Sequence, residues 1–207
     1  MVKGLQKIIL IFFAGFLFFL PSLSFSQEEE KAKYLRPTVF RSSGTFSTGI
    51  FLNGALTASY LTGGFDYYFS EKFSFRSDGF YFLNYLEETG PLLSNHSVFS
   101  GVNFHIKTKN NWDPYYFFQP GVAFSQRTVP LCDSLCSLGG QSSSISPLFS
   151  GGLGTNYYFQ KWFHMFFDVR LTQGTHLSSY QPVSLSDVRF SFGLGWNIIC
   201  RKDLRLK

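Results

Sequence analysis

The side chains able to do chemistry in this 207-residue chain are few, and they stand at regular intervals. Asp66, Arg76, Asp78, Arg127, His164, Asp168, Arg170, Asp187 and Arg189 fall on alternate residues within runs whose other positions are apolar or aromatic, and Asn103, His105, Gln119, Asn156 and Asn197 follow the same parity. The four arginines and four aspartates of that set have matched charge, and the chemistry they offer is ion pairing and charge-assisted hydrogen bonding. No phosphate-cradling loop, no paired glycosidase carboxylates and no spacing of metal ligands accompanies them, so neither a cofactor nor a metal is expected. Cys132 and Cys136 lie in a Ser- and Gly-rich stretch and suit a small loop disulfide in an exported protein, which leaves Cys200 as a separate thiol.

The elements that must position these residues are strands. In the last hydrophobic run, Val188, Phe190, Phe192, Leu194, Trp196 and Ile198 alternate without a slip with Asp187, Arg189, Ser191, Gly193, Gly195 and Asn197. Strand side chains have a period of two, so one face of this run is bulky and apolar and the other polar or small, as a lipid-facing barrel strand requires. Similar runs begin near Gly44 and cover roughly 46–52, 58–69, 73–85, 96–107, 114–127, 147–159 and 162–174, eight strands in all. Phe80 and Phe82 blur the third, and Pro120 in the fifth calls for a bulge at Gln119-Pro120-Gly121 because it cannot donate to a ladder.

Connections at 70–72, 108–113 and 160–161 are short, whereas 86–95, 128–146 and 175–186 are long. Membrane barrels have tight periplasmic turns and longer outer loops, so both chain ends are expected in the periplasm. An eight-stranded interior is just filled by side chains, so the Arg/Asp set is expected to close the lumen. Glycines at 49, 101, 121, 152, 154, 193 and 195 would leave room for the arginines, with Asp187 and Arg189 partnering Arg170 and Asp168 next door and His164 joining them. Trp112, Tyr115, Tyr157, Trp162 and Trp196 read as interface anchors. A soluble barrel would invert the parity and expose Arg and Asp; the aromatic girdles, the loop asymmetry and the export signal argue against it.

That signal is Lys3 and Lys7 ahead of the apolar stretch Ile8 to Leu20, then Pro21 and the small-residue site Ser24-Phe25-Ser26. It reads as a cleaved signal peptide over 1–26, too short for a membrane-spanning helix. A charged leader is expected over 27–43, the barrel over 44–199 and a basic periplasmic tail over 200–207. The composition agrees: 20% aromatic, 15% charged and 19 glycines suit many strands better than a helical bundle. Without Lys3 and Lys7 the 18 basic residues become 16 against 13 acidic ones, and this small excess, with no basic stripe, excludes nucleic acid as a partner.

The segments Asn95-His96-Ser97-Val98-Phe99-Ser100-Gly101, Asp113-Pro114-Tyr115, Gln119-Pro120-Gly121, Asn156-Tyr157-Tyr158, Phe163-His164 and Phe192-Gly193-Leu194-Gly195-Trp196 resemble the porin-like small outer-membrane β-barrel family of Bacteroidetes-type bacteria, over roughly Gly44 to Ile198. The resemblance implies a closed eight-stranded antiparallel up-and-down transmembrane barrel, contact with outer-membrane lipids and lipopolysaccharide, and insertion by barrel-assembly machinery, without implying a reaction. Family barrels end on an aromatic strand; here residues 200–207 extend beyond it. A second, local likeness is His176-Leu177-Ser178 followed by Asp187, which is similar to lipid A deacylase barrels and implies Ser178 as nucleophile, His176 as base and Asp187 as its orienting acid. On an unbroken seventh strand His176 and Ser178 would face the lumen rather than lipid. The expectation is therefore an outer-membrane barrel with a structural or surface-interaction role and an unidentified loop ligand, with an acyl-ester hydrolase as the alternative.

Overall fold

The computed structural model describes residues 39–52, 56–87, 90–108, 110–128, 141–160, 162–177 and 182–199. The signal peptide, most of the leader, the basic tail, Cys132, Cys136, Cys200 and Ser178 lie outside these residues.

Among the described residues nine strands follow one another: β1 (Val39–Phe51), β2 (Thr57–Tyr68), β3 (Phe73–Tyr85), β4 (Ser94–His105), β5 (Trp112–Thr128), β6 (Gln141–Gln160), β7 (Phe163–His176), β8 (Val183–Ser184) and β9 (Asp187–Ile199). Eight of them are staves, each paired antiparallel with its chain neighbour. β9 returns to β1 in an unbroken register from Val39↔Ile199 to Phe51↔Asp187, which closes the barrel. Two-residue β8 pairs with Thr175 and His176 at the end of β7. Closure matters physically because it leaves no unpaired sheet edge in hydrocarbon, where each bare backbone group costs several kcal/mol.

Strand connections at one end are short, residues 69–72, 106–111 and 161–162, and both chain ends of the barrel lie there. Two of these turns have visible side-chain causes. Ser70 Oγ accepts from the amides of Lys72 (3.2 Å) and Phe73 (2.9 Å), and Asn110 Oδ1 accepts from the Trp112 amide at 3.1 Å. At the other end the connections 86–93, 129–140 and 177–186 are longer. β5 and β6 rise past their neighbours there, since residues 141–147 pair with β5 alone.

The parity read from the sequence holds along most staves, with Phe46, Leu61, Phe65, Phe118, Phe149, Phe192 and Trp196 exposed around the outside. Near the short-turn end the outer face carries rings in contact: Trp112 with Tyr157 (4.9 Å between centroids), Phe163 with Trp196 (5.6 Å) and Phe104 with Tyr116 (4.8 Å). Rings with one apolar and one polar side settle at a membrane–water boundary. Tyr115 does not belong to this girdle; it points inward and is buried.

Three local expectations need correction. β1 starts at Val39, so residues 39–43, expected in the leader, belong to the barrel, and Arg41 is a buried lumen residue rather than part of a charged segment. Pro120 makes no bulge. The β4–β5 register is the same at Phe99↔Gly121 and Val102↔Phe118, and only the bridges at Ser100 and Gly101 are missing; a Cβ on Gly101 would come within 2.3 Å of the Phe118 carbonyl oxygen, so the strands stay close where the ladder bond is lost. The irregularity lies instead between Ser59 and Tyr60 on the β2–β3 ladder. On β3 it lies beyond Phe82 and turns Asn84 outward; Phe80 and Phe82 keep the inward parity of Ser74, Arg76 and Asp78 and blur the pattern of the third strand because they are apolar residues on its inner face.

Phe192 sits at mid-height, flanked by Phe46 on β1 and Phe167 on β7, and is 59% exposed. Phe192→Arg is expected to lose ~2–4 kcal/mol in equilibrium folding into lipid vesicles, the cost of a basic side chain near the bilayer midplane. An unchanged folding free energy would mean that this face does not meet lipid.

Candidate functional site

The inner face is a stack of three polar and aromatic layers, each tied across the lumen. At the short-turn end Asp113 on β5 is the hub. It accepts from Asn156 Nδ2 (2.9 Å), Tyr158 Oη (3.2 Å), Arg41 Nη2 (3.3 Å) and Tyr68 Oη (3.4 Å), and lies 2.8 Å from His105 Nδ1. Arg41 also bonds the Tyr68 and Tyr158 hydroxyls. Beside this hub, Asp66 accepts from Asn103 Nδ2 (2.7 Å) and Ser74 Oγ (3.2 Å) and faces Arg41 Nη1 at 4.0 Å.

In the middle, Arg76 on β3 donates to Asp78 (2.8 Å), to the Tyr115 hydroxyl (2.9 Å) and to Asp168 on β7 (2.8 Å). Arg170 on β7 returns the connection, reaching Asp78 at 2.5 Å and Ser150 Oγ at 2.9 Å. Its guanidinium lies over the rings of Phe117, Phe99 and Phe80, at 4.6, 4.9 and 5.0 Å from their centroids.

Above these, Arg189 on β9 donates to Asp187 (2.9 Å) and to Ser97 Oγ on β4 (2.7 Å), with the Tyr60 ring 4.4 Å from its guanidinium carbon. Tyr60 Oη donates to the same Asp187 carboxylate at 3.3 Å. The long-loop mouth is then filled by apolar side chains, Phe51, Phe82 and Leu148 from the staves, with Leu92 and Leu185 from the loops pressed in among them. The backbone holds these loops in place: Leu185 N donates to Gly174 O (2.9 Å) and Leu93 N to Gln126 O (2.8 Å).

In the closed order β1-β2-β3-β4-β5-β6-β7-β9, the staves four apart are diametrically opposed. Arg41–Asp113 joins β1 to β5, Arg76–Asp168 and Arg170–Asp78 both join β3 to β7, and Arg189–Ser97 joins β4 to β9. Each arginine therefore reaches the opposite wall.

Among the anticipated lumen residues, Asp66, Arg76, Asp78, Asp168, Arg170, Asp187 and Arg189 are buried and bonded as described, and His164 is buried. Their expected partners were wrong in detail. Arg170 and Arg189 stand directly opposite each other on β7 and β9, so like charges face one another and each turns to a different acceptor. His164 lies in the bottom layer, 5.6 Å from the Tyr158 ring, away from Asp168 and Arg170. Arg127 is half-buried near the top of β5, above the three layers. Inner glycines make room mostly for rings rather than for arginines: a Cβ on Gly154 would lie 2.4 Å from the Tyr115 ring, and one on Gly195 2.4 Å from His164 Cε1. Arg41 and Asp113 were missed as lumen residues. Their signal was parity, since both continue the polar alternation of their strands past the expected boundary.

The His176, Ser178 and Asp187 grouping is not assembled among the described residues. His176 Nδ1 bonds Ser125 Oγ on β5 at 2.7 Å, Asp187 is engaged by Arg189 and Tyr60, and Ser178 lies outside the described residues. No group of three metal-ligating side chains occurs among the described residues.

No family model matches the chain, and no curated protein matches it in sequence. Solved structures do match. The outer membrane protein OprG from Pseudomonas aeruginosa superposes with a TM-score of 0.58 at 15% identity, covering 81% of this chain and 99% of its own. Neisserial surface protein A gives 0.56 at 10% identity, over 78% and 96% of the two chains. The N-terminal β-barrel domain of Pseudomonas aeruginosa OprF gives 0.53 at 13%, over 78% and 98%. The fold is that of the small outer-membrane barrels. At such identities the likeness is one of fold alone.

Arg170→Ala leaves Asp78 with one arginine fewer in a buried setting and is expected to destabilise the barrel by about 3–5 kcal/mol, as loss of one partner of a buried pair does. The Arg170→Met/Asp78→Leu pair, which removes both charges, should recover most of that loss. Urea titration of the two variants checks this, and equal destabilisation by both would show that charge pairing is not what the site provides.

Proposed function

We propose that the protein is an integral outer-membrane barrel with a structural or surface-interaction role, its lumen closed to solutes. The observation that carries this reading is the set of cross-lumen arginine bonds, beneath an apolar mouth in which Leu92 and Leu185 are buried. Buried guanidiniums fixed to both walls leave no continuous polar path, and an eight-stave interior has little space beyond its side chains.

The long-loop end is the outer surface in this reading, with the short turns and both chain ends in the periplasm, following the general asymmetry of membrane barrels. The lipid-facing belt would meet outer-membrane lipids and lipopolysaccharide, and barrel-assembly machinery would insert the chain, as the resemblance to porin-like barrels of Bacteroidetes-type bacteria implies. The outer loops are the natural place for a binding partner, because loops vary while the staves are held by pairing. Among the described residues no geometry favours the ester hydrolase: the acid that would orient His176 is bonded by Arg189 and Tyr60.

Purified barrel reconstituted into planar lipid bilayers is expected to give no stepwise conductance. Discrete, reproducible channel steps would contradict the closed lumen, and recovery of the protein in a soluble periplasmic fraction would contradict the membrane assignment.

A further inference from the structure

Gly154 and Gly195 are small because inner rings lie against them, but three glycines on the outer face have no such cause. Gly44, Gly63 and Gly79 stand side by side on β1, β2 and β3, one rung below Phe46 and so just below mid-height. A Cβ on each would meet only a backbone oxygen at ordinary contact distance, 3.8, 3.7 and 3.8 Å respectively, and none has a backbone conformation reserved for glycine. Glycine weakens a strand interior, and its use there marks close approach of a ligand or another backbone. The three form the floor of an open hollow of about 800 Å³, walled above by Phe46, Leu61 and Tyr81 and ending at His96 on β4.

A second hollow, of about 320 Å³, begins where the first ends, and His96 lines both. Here the outer face of β4, β5 and β6 changes from apolar to polar within one rung. Phe124 and Ile145 lie level with His96, and Ser94, Gln126 and Ser143 stand side by side in the next rung toward the long loops. Such a change marks the lipid–water boundary at that end. The β3–β4 ladder stops at Phe80↔Ser97, and the Phe82 amide donates instead to His96 Nδ1 at 3.1 Å, with the imidazole 4.4 Å from the Tyr81 ring. Nδ1 is thus an acceptor, and Nε2 is the ring nitrogen left to donate.

We propose that the two hollows bind one acylated sugar lipid of the outer leaflet. One chain lies over the three glycines, and the amide and hydroxyl groups that link it to the head are held at His96 and the serine–glutamine rung. Position argues for hydrocarbon in the lower hollow, which opens onto the lipid-facing belt. Composition argues for an uncharged head in the upper one. Ser94, Gln126, Ser143 and Ser144 offer donors and acceptors, and among the described residues neither hollow is lined by a lysine, arginine, aspartate or glutamate that would select a phosphate or an amine. The assignment to the outer leaflet rests on the orientation proposed above.

The test is native mass spectrometry of the full barrel. Vesicle flotation first establishes insertion, and the barrel is then taken into detergent with either a phosphate-free, N-acylated glucosamine lipid or phosphatidylethanolamine. The unaltered barrel is expected to retain a single glucosamine lipid in preference to phosphatidylethanolamine. Gly63→Leu and Gly79→Leu, which fill the lower hollow, should lose that lipid while keeping heat-modifiable gel mobility. Gly151→Leu is the matched control, at an outward glycine on β6 where a Cβ has similar room, 3.6 Å from the Phe117 carbonyl oxygen, and it should keep the lipid. His96→Leu should abolish the preference between the two lipids. Undiminished retention by folded Gly63→Leu would overturn the proposal, as would equal retention of phosphatidylethanolamine by the unaltered barrel. A lipid-free dimer that Gly63→Leu dissociates would make a second copy the occupant and overturn it too. An inserted barrel that retains neither lipid refutes this inference alone and leaves the membrane assignment standing. Protease access to the long loops in intact cells checks the leaflet separately, and cleavage from the periplasmic side only would overturn the outer-leaflet assignment.

Discussion

The structure depends on one geometric constraint: an eight-stave lumen is narrow enough for an arginine rooted in one wall to bond the opposite wall. Arg41, Arg76, Arg170 and Arg189 all do so, and between them they span the β1–β5, β3–β7 and β4–β9 diameters. Other inner-face choices follow from this. Gly154 and Gly195 are small because Tyr115 and His164 lie against them, and Tyr115 in turn holds Arg76. Phe80, Phe99 and Phe117 fill the space beside the Arg170 guanidinium, so the middle layer combines aromatic packing with ion pairs.

The magnitudes argue against treating these ion pairs simply as sources of stability. Removing a charge from water costs on the order of several kcal/mol per ion, and buried pairs recover that cost only with good geometry and further hydrogen bonds. Here the further bonds are present, as in the five polar groups around Asp113. What an apolar replacement could not supply is direction. A guanidinium with acceptors on opposite staves fixes which walls face each other and at what height, whereas leucines would fill the same space in many arrangements. The barrel thus places hydrophobic packing at its mouth, through Leu92 and Leu185, and directional polar contacts below.

Much of the fold was legible because alternation is local: each residue's face follows from its own strand. The closing stave is the clearest case, with Phe190, Phe192, Leu194, Trp196 and Ile198 all outward. Where parity is interrupted the local pattern misleads, as at Asn84, which the irregularity on the β2–β3 ladder turns outward, whereas Phe80 and Phe82 keep their inward parity and differ only in being apolar. Arg41 and Asp113 went unrecognised because charge next to a strand boundary looks like leader or turn. The partners of Arg170 and Arg189 were not legible at all, since contacts between residues 92 apart across the lumen, such as Arg76–Asp168 and Asp78–Arg170, depend on barrel closure rather than on sequence neighbours. The same holds for His176, whose bond to Ser125 links β7 to β5 across the intervening β6.

The most direct test of a closed lumen is the reactivity of a thiol placed on its wall. Ser191 on β9 is buried and bonded to Ser47 at 2.7 Å, and Ser191→Cys is a small change there. With Cys132, Cys136 and Cys200 replaced by serine, a membrane-impermeant thiosulfonate reagent should leave Cys at this position unmodified in the native barrel in lipid vesicles and modify it fully after heat unfolding. Rapid modification of the native, vesicle-embedded barrel would show that water and solutes reach the middle of the lumen, and would contradict the closed structure.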